Sequence, residues 1–344
     1  MEKPESQQFA VGKRLTRDLY TPSGTLLVSA ASIITREHMK LIEKHGIVLS
    51  QEDVASVGPY SGEESFLYAQ LIHDTVMEVS HLFEEVRATK EVPIADLRSK
   101  IIPMIQEVSA PDTPLTELFA SLQAKDDYTY RHNIAVGVFA GLIGYWIRLD
   151  RQEQLQLMTA ALLHDIGKML IPEDILNKPG KLTNAEYDVM KHHTILGYEL
   201  LKKTIGVTHR QALVALQHHE RMDGSGYPFG LTGRHVDLFG RITSVADQFH
   251  AMTSKRVYRY PAPFYQVLSQ MEKDTFGALD PAITRVFLEK VMSSLIGHSV
   301  MLTDGRQGVI LMMNAQELTR PLIQTGERFI DLSKEPAVHI EQIL

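Results

Sequence analysis

Histidine and aspartate residues recur along the middle of this 344-residue chain at intervals that strongly constrain its fold. The positions are His132, His164, Asp165, His193, His218, His219 and Asp247, in clusters about 25 to 32 residues apart. Each interval fits one helix and a turn. Side chains from facing helices meet in the core of a helical bundle, which is where such bundles build metal sites. The spacing therefore predicts a helical bundle with each cluster on its own helix and a metal centre between them.

The types of donor narrow the choice of metal. The chain contains no cysteine, so disulfides and thiolate ligands are excluded. Imidazole and carboxylate donors favour iron, manganese, nickel, cobalt or zinc over a purely thiophilic metal. The candidate ligands are more numerous than one ion usually takes from a protein, which favours two ions that share a bridging carboxylate. A metal centre of this kind indicates hydrolysis, Lewis-acid catalysis or redox chemistry.

Composition excludes several other classes of function. The chain is 44% hydrophobic and 22% charged, as in an ordinary soluble globular protein. Its formal charge of −7 and the lack of a long basic cluster argue against non-specific binding to duplex nucleic acid. No apolar run approaches the roughly 18–20 residues of a membrane span, and Met1–Gln8 does not resemble a signal peptide. Together with the absence of cysteine, this predicts a cytoplasmic protein.

Sequence patterns divide the chain into four predicted parts. They are a small mixed α/β module at 1–62, a helical regulatory or connecting segment at 63–112, the helical domain at 113–294, and a small β-rich module at 295–344. The predicted fold class is therefore mainly α, with small mixed and β-rich modules at the two ends.

Local signals support this division. A Pro22–Gly24 turn predicts a hairpin in the first module, followed by a short helix that ends near Gly46. Thr183–Glu186 fits a capping box, and the helix that it starts is expected to pass His193 and run toward Leu201. An Asp-Gly turn at 304–305 predicts a hairpin in the last module, with short strands near 329–332 and 338–340. The second part carries an apolar stripe, formed by Phe66, Ala69, Ile72, Val76, Val79 and Phe83.

The candidate ligands lie within longer motifs. His218–Pro228 reads HHERMDGSGYP, and His164–Lys168 reads HDIGK. Further matches are Asp126–His132, Lys178–Leu182, His193–Gly197, and Asp247 with Arg256 and Arg259. In this order, across about residues 113–293, the motifs resemble the HD-GYP family, a branch of the HD phosphohydrolases.

The resemblance implies an HD-type helical bundle and metal-dependent hydrolysis of cyclic di-GMP to the linear dinucleotide, with cleavage onward to GMP left open. It implies two divalent ions, iron or manganese ahead of nickel, cobalt or zinc. One ion would be held by His132, His164, Asp165 and Asp247. The other would be held by His193, His218 and His219, with Asp165 bridging. The resemblance assigns catalysis to Asp165 and Lys168, and substrate binding to Lys168, Tyr227, Arg256 and Arg259.

Four positions bear on how closely the chain follows the family. Tyr128 stands where some members carry a glutamate that helps to bind a third metal, so tyrosine favours two metals. His250 stands where the family usually has an aspartate, three residues after Asp247, and it would alter the surroundings of the ligands. Lys255 and Val257 replace the usual acid and proline on either side of Arg256. None of these changes removes a predicted ligand.

Two other functions stay open. A non-catalytic receptor could bind a cyclic dinucleotide and signal through the flanking modules, although a receptor has no need of a complete dinuclear centre. An HD hydrolase could act on another cyclic dinucleotide or on a nucleotide, although the Gly-Tyr-Pro loop favours cyclic di-GMP. The apolar stripe of the 63–112 segment fits either a homodimer contact or burial against the catalytic helices.

Overall fold

The computed structural model describes residues 10, 13–21, 26–28, 34, 36–55, 62–110, 113, 115–122, 128–254, 264–275 and 277–344. At 62–69 and at Tyr128, it describes the backbone alone. The predicted Pro22–Gly24 turn and four positions discussed above, Lys255, Arg256, Val257 and Arg259, lie outside the described residues.

The chain divides into two compact units. One unit comprises Met1–Glu64, Leu295–His339 and Ile343–Leu344, and the other comprises Ser65–Ser294 with Ile340–Gln342. The second unit is helical and contains the candidate ligands. The finer division into four parts stays a prediction.

The N-terminal residues form a small mixed module. Its elements are β1 (Arg14–Leu15), β2 (Leu19–Tyr20), β3 (Leu26–Val28), α1 (Arg36–Lys44) and β4 (Val54–Ala55). Strands β2 and β3 pair antiparallel, which confirms the predicted hairpin, and α1 confirms the predicted short helix. Strand β4 pairs with β1, a contact that the sequence did not reveal.

The predicted connecting segment packs within the helical unit. It contains α2 (Gly62–Thr89), α3 (Ile94–Asp96), a π-helical stretch at Leu97–Ile101, and α4 (Ile102–Val108). The described residues of the apolar stripe are buried, namely Ile72, Val76, Val79 and Phe83. The Phe83 ring meets the Tyr130 ring edge-on, with centroids 5.9 Å apart. Burial within this helical unit therefore accounts for this part of the stripe.

The remaining helices of this unit enclose an aromatic core. They are α5 (Leu115–Leu122), α6 (Tyr128–Trp146), α7 (Arg151–Leu162), α8 (Glu173–Leu176), α9 (Asn184–Lys191), α10 (His193–Lys203), α11 (His209–Gln217), α12 (Leu238–Thr253), α13 (Phe264–Asp274) and α14 (Pro281–Ser294). The rings of Phe139, Phe249 and Phe287, from α6, α12 and α14, contact one another with centroids 4.9 to 6.4 Å apart. Burial of such large apolar side chains is the main force that holds the helices together. The predicted helical bundle is confirmed.

The sequence placed one helix boundary wrongly. Thr183 and Glu186 form the predicted capping box, but the helix ends at Lys191 and a new helix begins at His193. The His193 ring supplies the reason. Its Nδ1 lies 2.7 Å from the carbonyl oxygen of Met190, which a continuous helix would pair with a backbone N–H.

The last residues form a five-stranded sheet. Its strands are β5 (Ser299–Leu302), β6 (Gln307–Met312), β7 (Leu322–Thr325), β8 (Arg328–Asp331) and β9 (Ile340–Ile343), in the order β8-β7-β6-β5-β9. The predicted hairpin is confirmed, and Gly305 at its turn has φ +85°, a conformation that favours glycine. Strand β7 was not predicted.

No helix in the described part of the chain combines the length and the apolar character that a span requires.

Candidate metal centre

Three of the candidate ligands lie at helix ends. His164, His193 and His218 follow α7, α9 and α11, and the Nδ1 of each ring lies 2.7 to 3.1 Å from backbone carbonyl oxygens of the preceding turn. A carbonyl oxygen near a helix end can accept a further hydrogen bond, and these rings supply one. The prediction that every cluster lies on its own helix is therefore wrong for His164 and His218, whereas His193 is the first residue of α10.

This arrangement determines which nitrogen of each ring carries the proton. A carbonyl oxygen can only accept a hydrogen bond, so Nδ1 must carry the proton and donate it. In the neutral ring, Nε2 is then left with a free lone pair, which is the form that binds a metal. The backbone of three helix ends thus prepares His164, His193 and His218 as ligands.

Asp165 lies between two sets of imidazole nitrogens. Its Oδ1 is 3.3 Å from Nε2 of His193 and 3.7 Å from Nε2 of His218. Its Oδ2 is 3.3 Å from Nε2 of His164 and 3.9 Å from Nε2 of His132. Each carboxylate oxygen therefore faces a different pair of rings, which is the arrangement of a bridging ligand.

The donors form two overlapping groups. The His193 group consists of Asp165, His193, His218 and His219, and the His132 group consists of His132, His164 and Asp165. Within each group, the donor atoms all lie within 4.8 Å of one another. Asp247, on α12, stands beside both groups: its Oδ1 is 3.2 Å from Nε2 of His132, and its Oδ2 is 4.0 Å from Nδ1 of His219.

Metal ions fit these residues chemically. Among the described residues, the buried atoms His164 Nε2 and Asp165 Oδ1 have no hydrogen-bond partner. An unsatisfied buried polar atom costs stability, so such atoms call for a ligand. His193 Nε2 and His218 Nε2 face each other at 3.5 Å while the Nδ1 atom of each ring donates to carbonyls. A cation between these two lone pairs would turn a repulsive contact into an attractive one.

Burial keeps several of these rings neutral. It lowers the pKa of His218 to about 4 and that of His219 well below the usual value, and it also lowers the pKa of His132. At neutral pH, their lone pairs are therefore available to a metal. For His164, burial lowers the pKa, but the Asp165 carboxylate more than offsets burial and raises it. Positive charge is thus favoured at this ring.

The two carboxylates are ionised at neutral pH. Burial alone would raise the pKa of Asp165, but the charges of Lys168 and His164 hold that pKa well below the usual value. The pKa of Asp247 is also well below the usual value: burial would raise it, but the hydrogen bond from His132 and the nearby imidazoles of His132, His219 and His164 together outweigh burial. Two buried negative charges beside neutral imidazoles make a site that attracts cations.

His132 is oriented by another side chain. Its Nδ1 lies 2.9 Å from Nδ1 of His250, and Nε2 of His250 lies 3.0 Å from Oγ of Ser254. With a metal on Nε2 of His132, the Nδ1–H of that ring would donate to His250. The proton of His250 would then be on its Nε2 and point to Ser254. His250 thus contacts a candidate ligand directly, as expected for a residue that tunes the site.

A glycine allows the two halves of the site to approach. Gly167 follows Asp165 in a 3-10 helix at Ile166–Leu170, and a Cβ atom at this position would collide with the His193 carbonyl and with Gly197. Any other residue would push α10 away and separate Asp165 from His193. The glycine of the HDIGK motif is therefore required by packing.

Lys168 lies at the edge of the site. Its ammonium group donates a hydrogen bond to Oδ2 of Asp165, and its side chain is 26% exposed. It lies in the 3-10 helix at Ile166–Leu170, which directs it toward Asp165. It is close enough to the ligands to meet a substrate bound there.

The Gly-Tyr-Pro loop packs against a candidate ligand. The rings of Tyr227 and His219 stack, with centroids 4.6 Å apart, and the backbone N–H of Tyr227 donates to the His219 carbonyl. Gly226 lies so close that a Cβ atom would collide with the same carbonyl. The loop therefore supports His219 and exposes part of Tyr227 beside the His193 group.

Sequence reasoning missed a buried carboxylate that holds this loop. Glu220 is 2% exposed, and its two oxygens accept hydrogen bonds from the backbone N–H groups of Phe229 and Leu231, at 2.8 and 2.9 Å. The signal was an acidic residue between the paired histidines and a glycine-rich turn. Two neighbouring charged side chains have separate hydrogen-bond partners: Arg221 donates to the Ser244 hydroxyl, and Asp223 accepts from the Ser225 hydroxyl.

The structure brings together all seven candidate ligands, with Lys168 and Tyr227 at the margin. Residues 119–283 match the HD domain family. This part of the chain is similar to HD domains.

The chain is similar to proteins of known activity. It is 32% identical over 268 residues to the cyclic di-GMP phosphodiesterase PA4108 of Pseudomonas aeruginosa, covering 76% of this chain and 63% of that protein. It is 39% identical over 166 residues to a cyclic di-GMP phosphodiesterase of Thermotoga maritima, covering 48% of this chain and 45% of that protein. The chain thus spans only part of the length of these relatives. The predicted resemblance to HD-GYP phosphodiesterases is confirmed.

A solved structure agrees on the fold. Bd1817, a HDG"Y"P protein from Bdellovibrio bacteriovorus, matches 82% of this chain and 97% of its own length, with a TM-score of 0.50 and 13% sequence identity. At this identity, the likeness concerns the fold alone.

Proposed function

We propose that this chain is a metal-dependent phosphodiesterase that hydrolyses cyclic di-GMP to the linear dinucleotide. The observation that carries the proposal is the position of Asp165, whose two oxygens face separate pairs of imidazole Nε2 atoms. The substrate class is inferred from the relatives, which are cyclic di-GMP phosphodiesterases. Cleavage onward to GMP is a second step that the same site could perform.

The proposed cofactor is a pair of divalent ions, iron or manganese ahead of nickel, cobalt or zinc. The His193 group would hold one ion, and the His132 group with Asp247 would hold the other. When bound, two such ions supply Lewis-acid activation of water and of the phosphoryl oxygens. Asp165 would be shared between them, which agrees with its position between the two groups.

The residues at the margin would act on the substrate. Lys168 would stabilise the charge that develops on the departing oxygen, since its ammonium group stands beside the ligands and is partly exposed. Burial raises the pKa of Tyr227, so its hydroxyl stays protonated and can donate a hydrogen bond to a phosphate oxygen. We keep Arg256 and Arg259 as candidates for the second phosphate, because arginine makes bidentate contacts to phosphate.

Product analysis tests this proposal. Protein purified without oxygen and loaded with Mn²⁺ or Fe²⁺ is incubated with cyclic di-GMP, and the products are separated by chromatography. We expect the linear dinucleotide to accumulate, and a chelator or the Asp165→Asn variant to abolish its formation. Binding of cyclic di-GMP without any product would favour a receptor instead. Cleavage of other nucleotides while cyclic di-GMP stays intact would favour a different HD hydrolase.

A further inference from the structure

A cavity of about 240 Å³ opens beside the His193 group. It is lined by Asp188, Lys191, His192, Ile195, Tyr227 and Pro228. The end of α9 and the first turn of α10 form one wall, and the Tyr227–Pro228 segment forms another. Pockets for drug-sized ligands measure roughly 300–1,000 Å³, so this cavity suits one flat ring system better than a whole dinucleotide.

The cavity adjoins the proposed metal site through Tyr227. One face of the Tyr227 ring stacks on His219, and the ring centroid lies 6.4 Å from that of His193. A phosphodiester held at the His193 group would therefore have this cavity next to it. The part of a cyclic dinucleotide that extends from the phosphate is a ribose with its base.

The walls of the cavity suit a purine. Ile195, Tyr227 and Pro228 offer apolar surfaces on which a flat base can stack. At its polar side stand the Asp188 carboxylate, which only accepts hydrogen bonds, and the Lys191 ammonium, which only donates them. These two groups are 2.8 Å apart, so they present an acceptor next to a donor.

The donor of Lys191 and the acceptor of Asp188 complement the hydrogen-bonding groups on the edge of guanine. Guanine offers an acceptor, O6, next to two donors, the N1–H and the N2 amino group; adenine lacks the N2 donor and carries an amino group in place of O6. Lys191 can donate to O6, while Asp188 accepts from N1–H and N2. The ion pair between them is exposed, with 34% of the Lys191 and 66% of the Asp188 side chain accessible, so little stability is lost when it rearranges.

We propose that this cavity is a guanine subsite of the active site, in which Asp188 and Lys191 recognise the edge of the base. The inference rests on the proposed phosphodiesterase function and deepens it, because it names the residues that would select guanine over adenine. Asp188 and Lys191 would be specificity-determining residues, with no part in the cleavage of the phosphodiester.

Substrate preference tests this subsite. For the wild type and Asp188→Ala, kcat and KM are measured with cyclic di-GMP, with 3′3′-cyclic GMP-AMP and with cyclic di-AMP. We expect the preference of kcat/KM for cyclic di-GMP over cyclic di-AMP to fall about tenfold or more, mainly through a higher KM for the guanine substrate. Lys191→Met keeps the apolar stem and should lower the same preference. Asp174→Ala removes an exposed carboxylate of α8 and serves as the matched control, with the preference unchanged.

A binding measurement gives a second readout. Isothermal titration of chelator-treated protein with cyclic di-GMP and with cyclic di-AMP reports base selection without hydrolysis, and we expect Asp188→Ala to lose affinity for the guanine ligand selectively. An equal loss for both ligands, or no change in either preference, would overturn the guanine subsite while leaving the phosphodiesterase in place. Hydrolysis of bis(p-nitrophenyl) phosphate by wild type that leaves every cyclic dinucleotide intact would instead overturn the proposed function.

Discussion

The two sides of Asp165 differ in how one imidazole, that of His132, is held. In the His193 group, His193 and His218 donate to backbone carbonyls. In the His132 group, His164 also donates to a backbone carbonyl, but the His132 ring is oriented by the side chain of His250. A backbone carbonyl is present whatever the residue type, whereas one substitution removes a side chain. A substitution at position 250 can therefore change the orientation of the His132 ring. Among the described residues, no single side chain orients His193 and His218 in this way, because backbone carbonyls hold them.

Removal of the shared carboxylate should have the largest effect. Asp165→Ala takes a ligand from both groups, so we expect both ions to be lost and hydrolysis to fall by about 1,000-fold or more. Metal content by mass spectrometry and initial rates with cyclic di-GMP measure the two effects. Asp174→Ala is again the control of matched charge. Retention of both ions by the Asp165 variant would show that this residue does not bridge them.

Loss of one histidine from each side should separate the two groups. His218→Ala and His132→Ala should each remove one ion and lower kcat by about 100-fold or more, because the remaining ion keeps its own ligands. The measurement is the metal-to-protein ratio, which should fall by about half in either variant. Loss of all metal from one variant alone would show that one group depends on the other.

Substitution of His250 tests how strongly the His132 group depends on this side chain. His250→Ala should weaken metal binding at the His132 group by about 10- to 100-fold, since His132 would lose the partner that orients its ring. His250→Asp should restore binding, because a carboxylate also accepts from Nδ1–H. Competition with a metal-binding dye gives the affinities. His73→Ala, an exposed histidine on α2, is the control. Equal affinity in wild type and His250→Ala would remove the distinction between the two sides.

The smallest effect concerns the pH dependence of the metal-free protein. His218 takes up a proton near pH 6.5 in the unfolded chain but near pH 4 in the fold, because it is buried. The unfolded state therefore binds more protons in this window, and the free energy of unfolding should fall as the pH falls from about 6.5 to about 4. The raised pKa of His164 acts in the opposite direction, since its stabilisation is lost as the pH rises.

Urea denaturation of chelated protein at several pH values measures this effect. His218→Gln should flatten the loss of stability between about pH 6.5 and 4, whereas His164→Gln should remove the loss of stability that accompanies a rise in pH above about 6.5. If the free energy of unfolding depended on pH in the same way in both variants, the opposite effects assigned to His218 and His164 would be contradicted.

Much of the site could be predicted because its chemistry depends on residue type. Imidazoles and carboxylates at helix-length intervals predicted a metal centre, and the structure brings all seven side chains together. The capping box at Thr183 and the Asp-Gly hairpin near Gly305 depend on local hydrogen bonds and turn geometry, so they too could be predicted.

Other features depend on tertiary contacts that no local pattern encodes. The break between α9 and α10 arises because the His193 ring takes a carbonyl from the helix. Glu220 acts through backbone groups 9 and 11 residues further along the chain. The contact of His250 with His132 joins residues 118 positions apart. Strand β7 depends on its pairing with β6 and β8.

Anomalous diffraction from crystals loaded with Mn²⁺ tests the central claim most directly. We predict two peaks that flank Asp165, one within bonding distance of His193, His218 and His219, and the other within bonding distance of His132, His164 and Asp247. A single ion bound away from Asp165, or protein that takes up no metal while it still cleaves cyclic di-GMP, would contradict the account.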